Sequence, residues 1–292
     1  MTSSSYDAII IGAGVIGACT AFEMAKKGYK TLSIDKAPEA GYGSTSGSCA
    51  IIRTYYSTTD SCALAYEGWF YWKNWADYMG VTDPSGMITY HDTGTLVMKT
   101  EHNGYLEKAT AMMDEIGCPY RHLTVDEMRD YVPSFDARSY SPAKRADAEG
   151  FGEPTGPELS GGVLFPRGGY VDDPKLSAHN AQVAAEAHGA EFMFRQEVTA
   201  IRQHDGRVTG VTLADGREID APIVVNVAGP HSSIINGMAG VKDNMKMTTR
   251  ALRHEVAHVP APKGEALKSV YSDSDISTYA RPASGDHILI GS

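Results

Sequence analysis

Positive charge is in short supply in this 292-residue chain: 26 Lys and Arg stand against 36 Asp and Glu, a formal net charge of −10. A surface this acidic repels phosphate backbones and anionic headgroups, which argues against nucleic acid and membrane as partners and for a small molecule. Cysteine is scarce too. The four, at 19, 49, 62 and 118, have neither the density of a disulfide scaffold nor metal-ligand spacing, so the expectation is a reducing cytoplasm and no metal site. No apolar run approaches the roughly 18 residues that a membrane span needs. The opening MTSSSYD lacks the charged and apolar regions of a signal peptide. The expectation is a soluble, cytoplasmic protein with no internal repeat, long enough for two domains at about 150 residues each.

What is present begins at residue 9. In IIIGAGVIGACTAFEMAKKGYKTLSIDK, three isoleucines lead into Gly12, Gly14 and Gly17, and an amphipathic run then ends at Gly28. This order reads as strand, tight turn and helix. Gly12 permits the turn, Gly14 lets backbone amides approach a diphosphate, and Gly17 lets the helix lie close to the strand. The diphosphate would then sit at a helix N-terminus, where unpaired N–H groups favour negative charge. Asp35, 18 residues after Gly17 at the end of the next predicted strand, stands near the spacing at which a carboxylate accepts from an adenosine ribose. A lone GxGxxG is weak evidence, but strand, helix and acid together predict a dinucleotide site.

Beyond it, EAGYGSTSGSCAIIRTYYS reads as a loop. Ser61 to Met79, with Trp69, Phe70, Trp72, Trp75 and Tyr78, reads as one aromatic-rich helix whose stripe is packing surface. TGTLVMKT is a strand, NGYLEKATAMMDEIG a helix, and TVDEMRDYV a short helix capped by Thr124 with Glu127 three residues on. The segment 136–162, with three prolines and several glycines, reads as an exposed insertion. DPKLSAHNAQVAAEAHG is helical, and the strands after it are broken by HDG and ADG, which are hairpin signals. IVVNVAGP is an apolar strand suited to rejoin the first sheet, and from Thr248 onward alternating runs predict an antiparallel sheet.

The order of these motifs resembles the FAD-dependent amine and amino-acid oxidoreductases of the D-amino-acid oxidase superfamily, especially the sarcosine and dimethylglycine oxidase or dehydrogenase branch. The likeness is carried by the fingerprint ending in Asp35, by GSTSGSCAIIR, by GGYVDDPKLSAHNAQVAAEAHGAEF, by APIVVNVAGPHSS and, more weakly, by YARPASGDHILIG. It implies an α/β fold with a Rossmann-like FAD-binding domain, residues 1–90 and 163–245, and an antiparallel-sheet substrate domain, residues 91–162 and 246–292. It implies FAD held by Gly12, Gly14, Gly17, Asp35, Lys36, Ser44, Thr45, Ser46, Val198 and Gly229. Relatives flavinylated through a histidine in the loop place it near Gly47, but residues 40–60 contain no histidine. Non-covalent FAD is therefore expected, with Cys49 left open. Family members usually continue past the equivalent of HILIG, so the resemblance implies a fragment, or a second polypeptide that completes the fold.

The chemistry implied is oxidation of the C–N bond of a small secondary or N-methylated amino acid. This needs an anchor for the carboxylate and a neutral amine. Arg53 suits the anchor, because a planar guanidinium grips both oxygens of a carboxylate; a structural salt bridge or a cofactor phosphate are its other readings. His254, in RHEVAHV, matches an active-site histidine of the dimethylglycine-oxidising relatives. An imidazole with a pKa of about 6.5 is able to take the amine's proton, whereas the plainer reading is a histidine on an exposed strand. Tyr279, in YARP, matches an active-site tyrosine, with a half-buried strand aromatic as its alternative. His231 reads as a helix-start residue. Monomeric sarcosine oxidases carry an oxygen-activating lysine near Leu289, and an apolar side chain there implies an acceptor other than oxygen. The competing readings are a related 2-hydroxy-acid or polyol-phosphate dehydrogenase, or a truncated FAD-binding subunit that needs a partner chain.

Overall fold

The computed structural model describes residues 6–263 and 267–292. The chain divides into two compact units: one holds the N-terminal segment through Ser48, Ala76–Ile88 and Asp173–Arg253, the other Cys49–Trp75, Thr89–Asp172 and His254–Ser292.

The first unit is built on a four-stranded parallel sheet in the order Glu191–Phe194, Thr31–Asp35, Ala8–Ile11, Ile223–Asn226. IVVN thus returns to pair with the first strand, Ala8 opposite Ile223 through Ile11 opposite Asn226. Side chains alternate across a strand, and Ile9, Ile11, Leu32 and Ile34 send one face into a core shared with Val198, Ile201, Val211, Leu213 and Ile219 of a three-stranded antiparallel sheet. The hairpins of that sheet turn at Asp205–Gly206 and Asp215–Gly216. The helices Val15–Lys26 and Pro174–Ala187 pack together through Ala18, Ala21 and Ala25 against Ala178, Ala181, Ala184 and Ala185, all buried. Small side chains let the two backbones approach closely.

Ala76–Ile88 is tied to this unit by a buried carboxylate. Asp83 accepts from Ser85 N–H (2.8 Å) and Asn180 Nδ2 (2.7 Å), and lies 2.6 Å from His179 Nδ1. Asn180 also bonds Gly86 C=O and Ile88 N–H.

The second unit is organised by a seven-stranded sheet in the order Val256–Pro260, His287–Gly291, Thr278–Ala283, Val270–Asp273, Thr95–Met98, Gly162–Phe165, Arg121–Leu123. It is mixed rather than wholly antiparallel, because Val270–Asp273 runs parallel to Thr95–Met98. One face carries Val97, Val163 and Phe165 against Leu106, Ala109, Met112 and Met113 of the helix Tyr105–Ile116; the other carries Leu96, Met98 and Leu164 against Met128, Val132 and Phe135. The predicted capping box forms: Glu127 N–H donates to Thr124 Oγ1, and the Glu127 carboxylate accepts from Thr124 N–H.

Three local expectations change. The aromatic stretch is two helices, Thr59–Lys73 and Trp75–Met79, because both Asn74 N–H and Asn74 Nδ2 bond the Phe70 carbonyl and close the first helix. The loop before it contains a two-residue strand, Ile51–Ile52, which pairs with Gly169–Val171, itself paired with Tyr90–His91. Residues 49–75, 89–90 and 163–172 fall in the second unit and 246–253 in the first, whereas the sequence boundaries group the former with the nucleotide motif and the latter with the substrate domain. Cys62 and Tyr55 take part in the core against Val97 and Phe165, and these contacts draw the segment there. Among the described residues, no helix is long and apolar enough to cross a membrane, and no group of three His, Cys, Asp or Glu is placed to hold a metal.

Candidate functional site

In the first unit the glycine turn has the geometry its spacing predicts. Gly12 has φ +112°, and a Cβ there would stand 2.4 Å from the Val227 carbonyl oxygen; a Cβ on Gly17 would stand 1.9 Å from the Gly12 carbonyl oxygen. Both positions therefore exclude a side chain, one for the turn and one for helix-to-strand contact. Gly14 differs. It caps the helix in extended conformation, and its Cβ would meet only Thr45 Oγ1, at 3.1 Å. Beside Gly14, in front of a helix N-terminus, a Cβ would thus meet a side-chain hydroxyl rather than backbone, and a diphosphate there is favoured by backbone N–H groups and by the dipole.

The other first-unit candidates gather unevenly. The Asp35 carboxylate accepts from Ala13 N–H (2.7 Å) and Ala37 N–H (2.8 Å), which sets it against the turn. Two bonds leave part of a carboxylate's acceptor capacity for a ligand hydroxyl. Thr45 Oγ1 accepts from Val15 N–H (3.1 Å), and Gly41 N–H donates to Ala13 C=O (2.8 Å), so the Ser44–Ser46 loop is tied to the same turn. Ser46 Oγ donates to Gly43 C=O (2.9 Å) and holds the loop's curl. Ser44 Oγ is 3.6 Å from where a Gly229 Cβ would be, so the segment after Ile223–Asn226 also meets this loop. Lys36 is exposed beside Asp35. Val198 stands apart: its side chain lies in the hydrophobic core, which leaves only its backbone to a ligand.

In the second unit a different kind of cluster forms. The Arg53 guanidinium lies 5.2 Å from the Tyr55 ring centre and 4.8 Å from that of Tyr56, within the range of cation–π attraction. Tyr279, on Thr278–Ala283, is paired across the sheet with Gly291, and a Cβ on Gly291 would stand 2.4 Å from its ring and hydroxyl. Glycine opposite the aromatic gives the ring its place. The Tyr279 hydroxyl hydrogen-bonds the Cys49 thiol; burial, then Cys49, push its pKa up, and the Arg53 charge pulls it down. Burial likewise pushes the Cys49 thiol up, against the Tyr279 bond and the charge of Arg281. Arg53 and Tyr279, distant in sequence, are thus in electrostatic reach of one another.

His254 is exposed, with Nδ1 3.1 Å from the Ser292 carbonyl oxygen. Because Val256, Gly291 and Tyr279 are in register across three strands, His254 stands at the same end of the sheet as Tyr279. His231 ends a short 3-10 turn and precedes the helix Ser232–Met238, as a helix-start residue does. The sequence reading missed Arg281, which is 4% exposed beneath this cluster. Its only sequence signal was its place in YARP, two residues after Tyr279.

The family model DAO, FAD dependent oxidoreductase, matches residues 7–292. Sarcosine oxidase subunit beta of Rhodobacter capsulatus is 28% identical over 241 residues, which are 81% of this chain and 53% of that protein. Glycine oxidase of Geobacillus kaustophilus is 25% identical over 293 residues, 98% of this chain and 69% of that protein. The chain therefore spans about half the length of the first relative and about two thirds of the second. Among solved structures, L-proline dehydrogenase from P. horikoshii superposes with a TM-score of 0.78 at 20% identity, covering 99% of this chain and 70% of that one. At that identity the likeness speaks for the fold alone. With the family model spanning both units, the chain belongs to the DAO family of FAD dependent oxidoreductases.

Proposed function

We propose that this chain uses FAD to oxidise the C–N bond of a small secondary or N-methylated amino acid, sarcosine- or dimethylglycine-like, to an imine that water hydrolyses. The observation that carries the reading is that Arg53, set against the Tyr55 and Tyr56 rings, lies within electrostatic reach of Tyr279 in the second unit, a cation and a hydroxyl of the kind that hold a carboxylate. The residues of the first unit fit FAD: Gly14 at the helix N-terminus, with the Thr45 hydroxyl beside it, suits a diphosphate, and Asp35 retains acceptor capacity for a ribose hydroxyl. Gly12, Gly17, Ser44, Thr45, Ser46 and Gly229 shape that cradle, Lys36 offers charge at its rim, and Val198 offers backbone. FAD, when bound, would supply the hydride acceptor for a C–H next to the amine nitrogen.

This chain's residues prepare the substrate. The Arg53 fork binds both carboxylate oxygens, which fixes the α-carbon relative to the amine. The Tyr279 hydroxyl exchanges its bond to the Cys49 thiol for one to the carboxylate when substrate enters. Hydride leaves only a neutral amine, and the His254 imidazole takes the ammonium proton beforehand. FAD is held without a covalent bond, since the loop at 40–60 offers no histidine and Cys49 is buried, engaged with Tyr279 and raised in pKa. Leu289, paired in the sheet with His258 and Arg281, provides no positive charge for oxygen, which favours another electron acceptor. Two relatives are named as beta subunits, which supports a partner chain.

The test is the absorption spectrum of the purified protein with added FAD under anaerobic conditions. Flavin bands that bleach on addition of sarcosine or dimethylglycine are expected. Bleaching by a 2-hydroxy acid and not by either amine would replace this reading.

A further inference from the structure

Cys49 is held at two points by one strand. Tyr279 and Arg281 are two residues apart on Thr278–Ala283 and so share a face. Tyr279 bonds the Cys49 thiol, and Arg281 Nε donates to the Cys49 carbonyl at 2.5 Å. Arg281 is buried, its Nη1 donates to the Pro282 carbonyl (2.7 Å), and its cation lies 4.5 Å from the centre of the Tyr170 ring. Tyr170 stacks with His91 at 4.5 Å and 10°. Burying a guanidinium is costly unless its donors and charge are used, and here two carbonyls and an aromatic face use them.

The carbonyl that Arg281 grips precedes Ala50, whose φ is +52°. Residues with a side chain rarely hold this left-handed conformation, and they do so when their surroundings over-determine it. On the other side of Ala50, its carbonyl accepts from Val171 N–H (3.0 Å), and Ile51 and Ile52 pair with Tyr170 and Gly169. Tyr170 therefore serves twice, its backbone pairing with Ile51 and its ring lying under Arg281. Arg53 follows Ile52 directly.

We propose that Arg281 is a positioning residue: by holding the Cys49 carbonyl it keeps Ala50 left-handed, and this fixes where Cys49 meets Tyr279 and where Arg53 leaves the strand. Only the turnover half of its test rests on the function proposed above.

The experiment compares Arg281→Met, Arg281→Lys, Ala50→Gly and the double variant Ala50→Gly/Arg281→Met with the unmodified protein. The first readout is the rate at which a maleimide modifies Cys49 under native conditions, mapped on peptides beside the buried Cys62 and Cys118. Arg281→Met should raise the Cys49 rate at least tenfold and leave Cys62 and Cys118 unchanged, with Arg281→Lys between. Glycine adopts the left-handed conformation unaided, so the double variant should return to within about threefold of Ala50→Gly alone. The second readout is KM: Arg281→Met should raise it for a carboxylated amine and leave it unchanged for an uncharged analogue. An unchanged Cys49 rate, a common rise at all three cysteines in both Arg281 variants, or a double variant no better than Arg281→Met would each overturn the proposal. If the unmodified protein oxidises no amine, the functional reading fails and the thiol rates still decide this one.

Discussion

The glycine turn of the first unit is built from backbone, and the cluster around Tyr279 is built from side chains. At the turn, Gly12 and Gly17 are needed because carbonyl oxygens occupy the space a Cβ would take. Around Tyr279 the groups that matter are a guanidinium, a phenol and a thiol, brought together by strand pairing across distant sequence. The first kind of site breaks when atoms are added, and the second when atoms are removed.

Gly14→Val sets this contrast most sharply. The position is extended and its Cβ meets a side-chain hydroxyl at 3.1 Å rather than backbone, so the protein should fold and lose less melting temperature than Gly12→Val, whose Cβ meets a carbonyl oxygen at 2.4 Å. The remaining valine atoms should fill the space in front of the helix and weaken FAD binding at least a hundredfold, about 2.7 kcal/mol, measured by titration with calorimetry. Gly12→Val should lower both, because the turn itself cannot form. Equal losses of stability in the two variants would erase the distinction between a turn position and a cradle position.

Arg53→Lys makes the corresponding test in the second unit, by removing the fork while keeping the charge. KM for a carboxylated amine should rise about tenfold, roughly the value of one lost charge-assisted bond. KM for an uncharged analogue should stay level in the same steady-state assay. Equal effects on both substrates would mean that Arg53 serves the cofactor or the fold, which was the competing reading of its sequence.

The difference in construction also governs what the sequence disclosed. A glycine turn is marked by local spacing, so the strand, turn and helix around Gly12, Gly14 and Gly17 and the place of Asp35 at the end of the next strand were readable before any fold was known, and the apolar IVVN was readable as a strand rejoining that sheet. Side-chain sites depend on register between distant strands. Arg281 carries no local pattern that marks it, and its burial shows only once Cys49, distant in sequence, is placed with its carbonyl on the guanidinium. Ile51–Ile52 is too short to show any period, and its strand exists because Gly169–Val171 supplies a partner. Residues 49–75 likewise join the second unit through tertiary contacts of Tyr55 and Cys62 that no local pattern marks.

Polar burial sharpens the comparison through pH. Burial of Asp83 raises its pKa, but the bonds from Ser85, His179 and Asn180 outweigh this and hold the carboxyl below its ordinary value. A carboxyl depressed on folding adds stability that is present above its unfolded pKa, about 3.9, and is lost as pH falls through the lower folded value. The melting temperature of the unmodified protein should therefore drop between pH 4 and pH 2.5, and Asp83→Asn should reduce that drop while lowering stability at pH 7 by about 1–3 kcal/mol. An unaltered acid slope would place the acid sensitivity elsewhere.

The smallest effect is expected where each unit buries a hydroxyl in a strand and gives it nothing to bond. Thr31 in the parallel sheet and Thr95 in the mixed sheet are both almost fully buried, and neither Oγ1 has a hydrogen-bond partner among the described residues. Valine has nearly the same shape and suits a strand. Replacing an unsatisfied polar group by an apolar one of equal shape is close to neutral or stabilising, whereas removing a satisfied hydroxyl costs roughly 1 kcal/mol. Thr31→Val and Thr95→Val should therefore each change stability by between zero and about +1 kcal/mol in urea unfolding at unchanged slope. The comparison turns on whether the two agree. A gain at Thr31 with a loss at Thr95 would mean that a buried water or ligand atom satisfies the second-unit hydroxyl in solution, placing a polar chamber beside Gly168, whose Cβ would stand 2.7 Å from that oxygen.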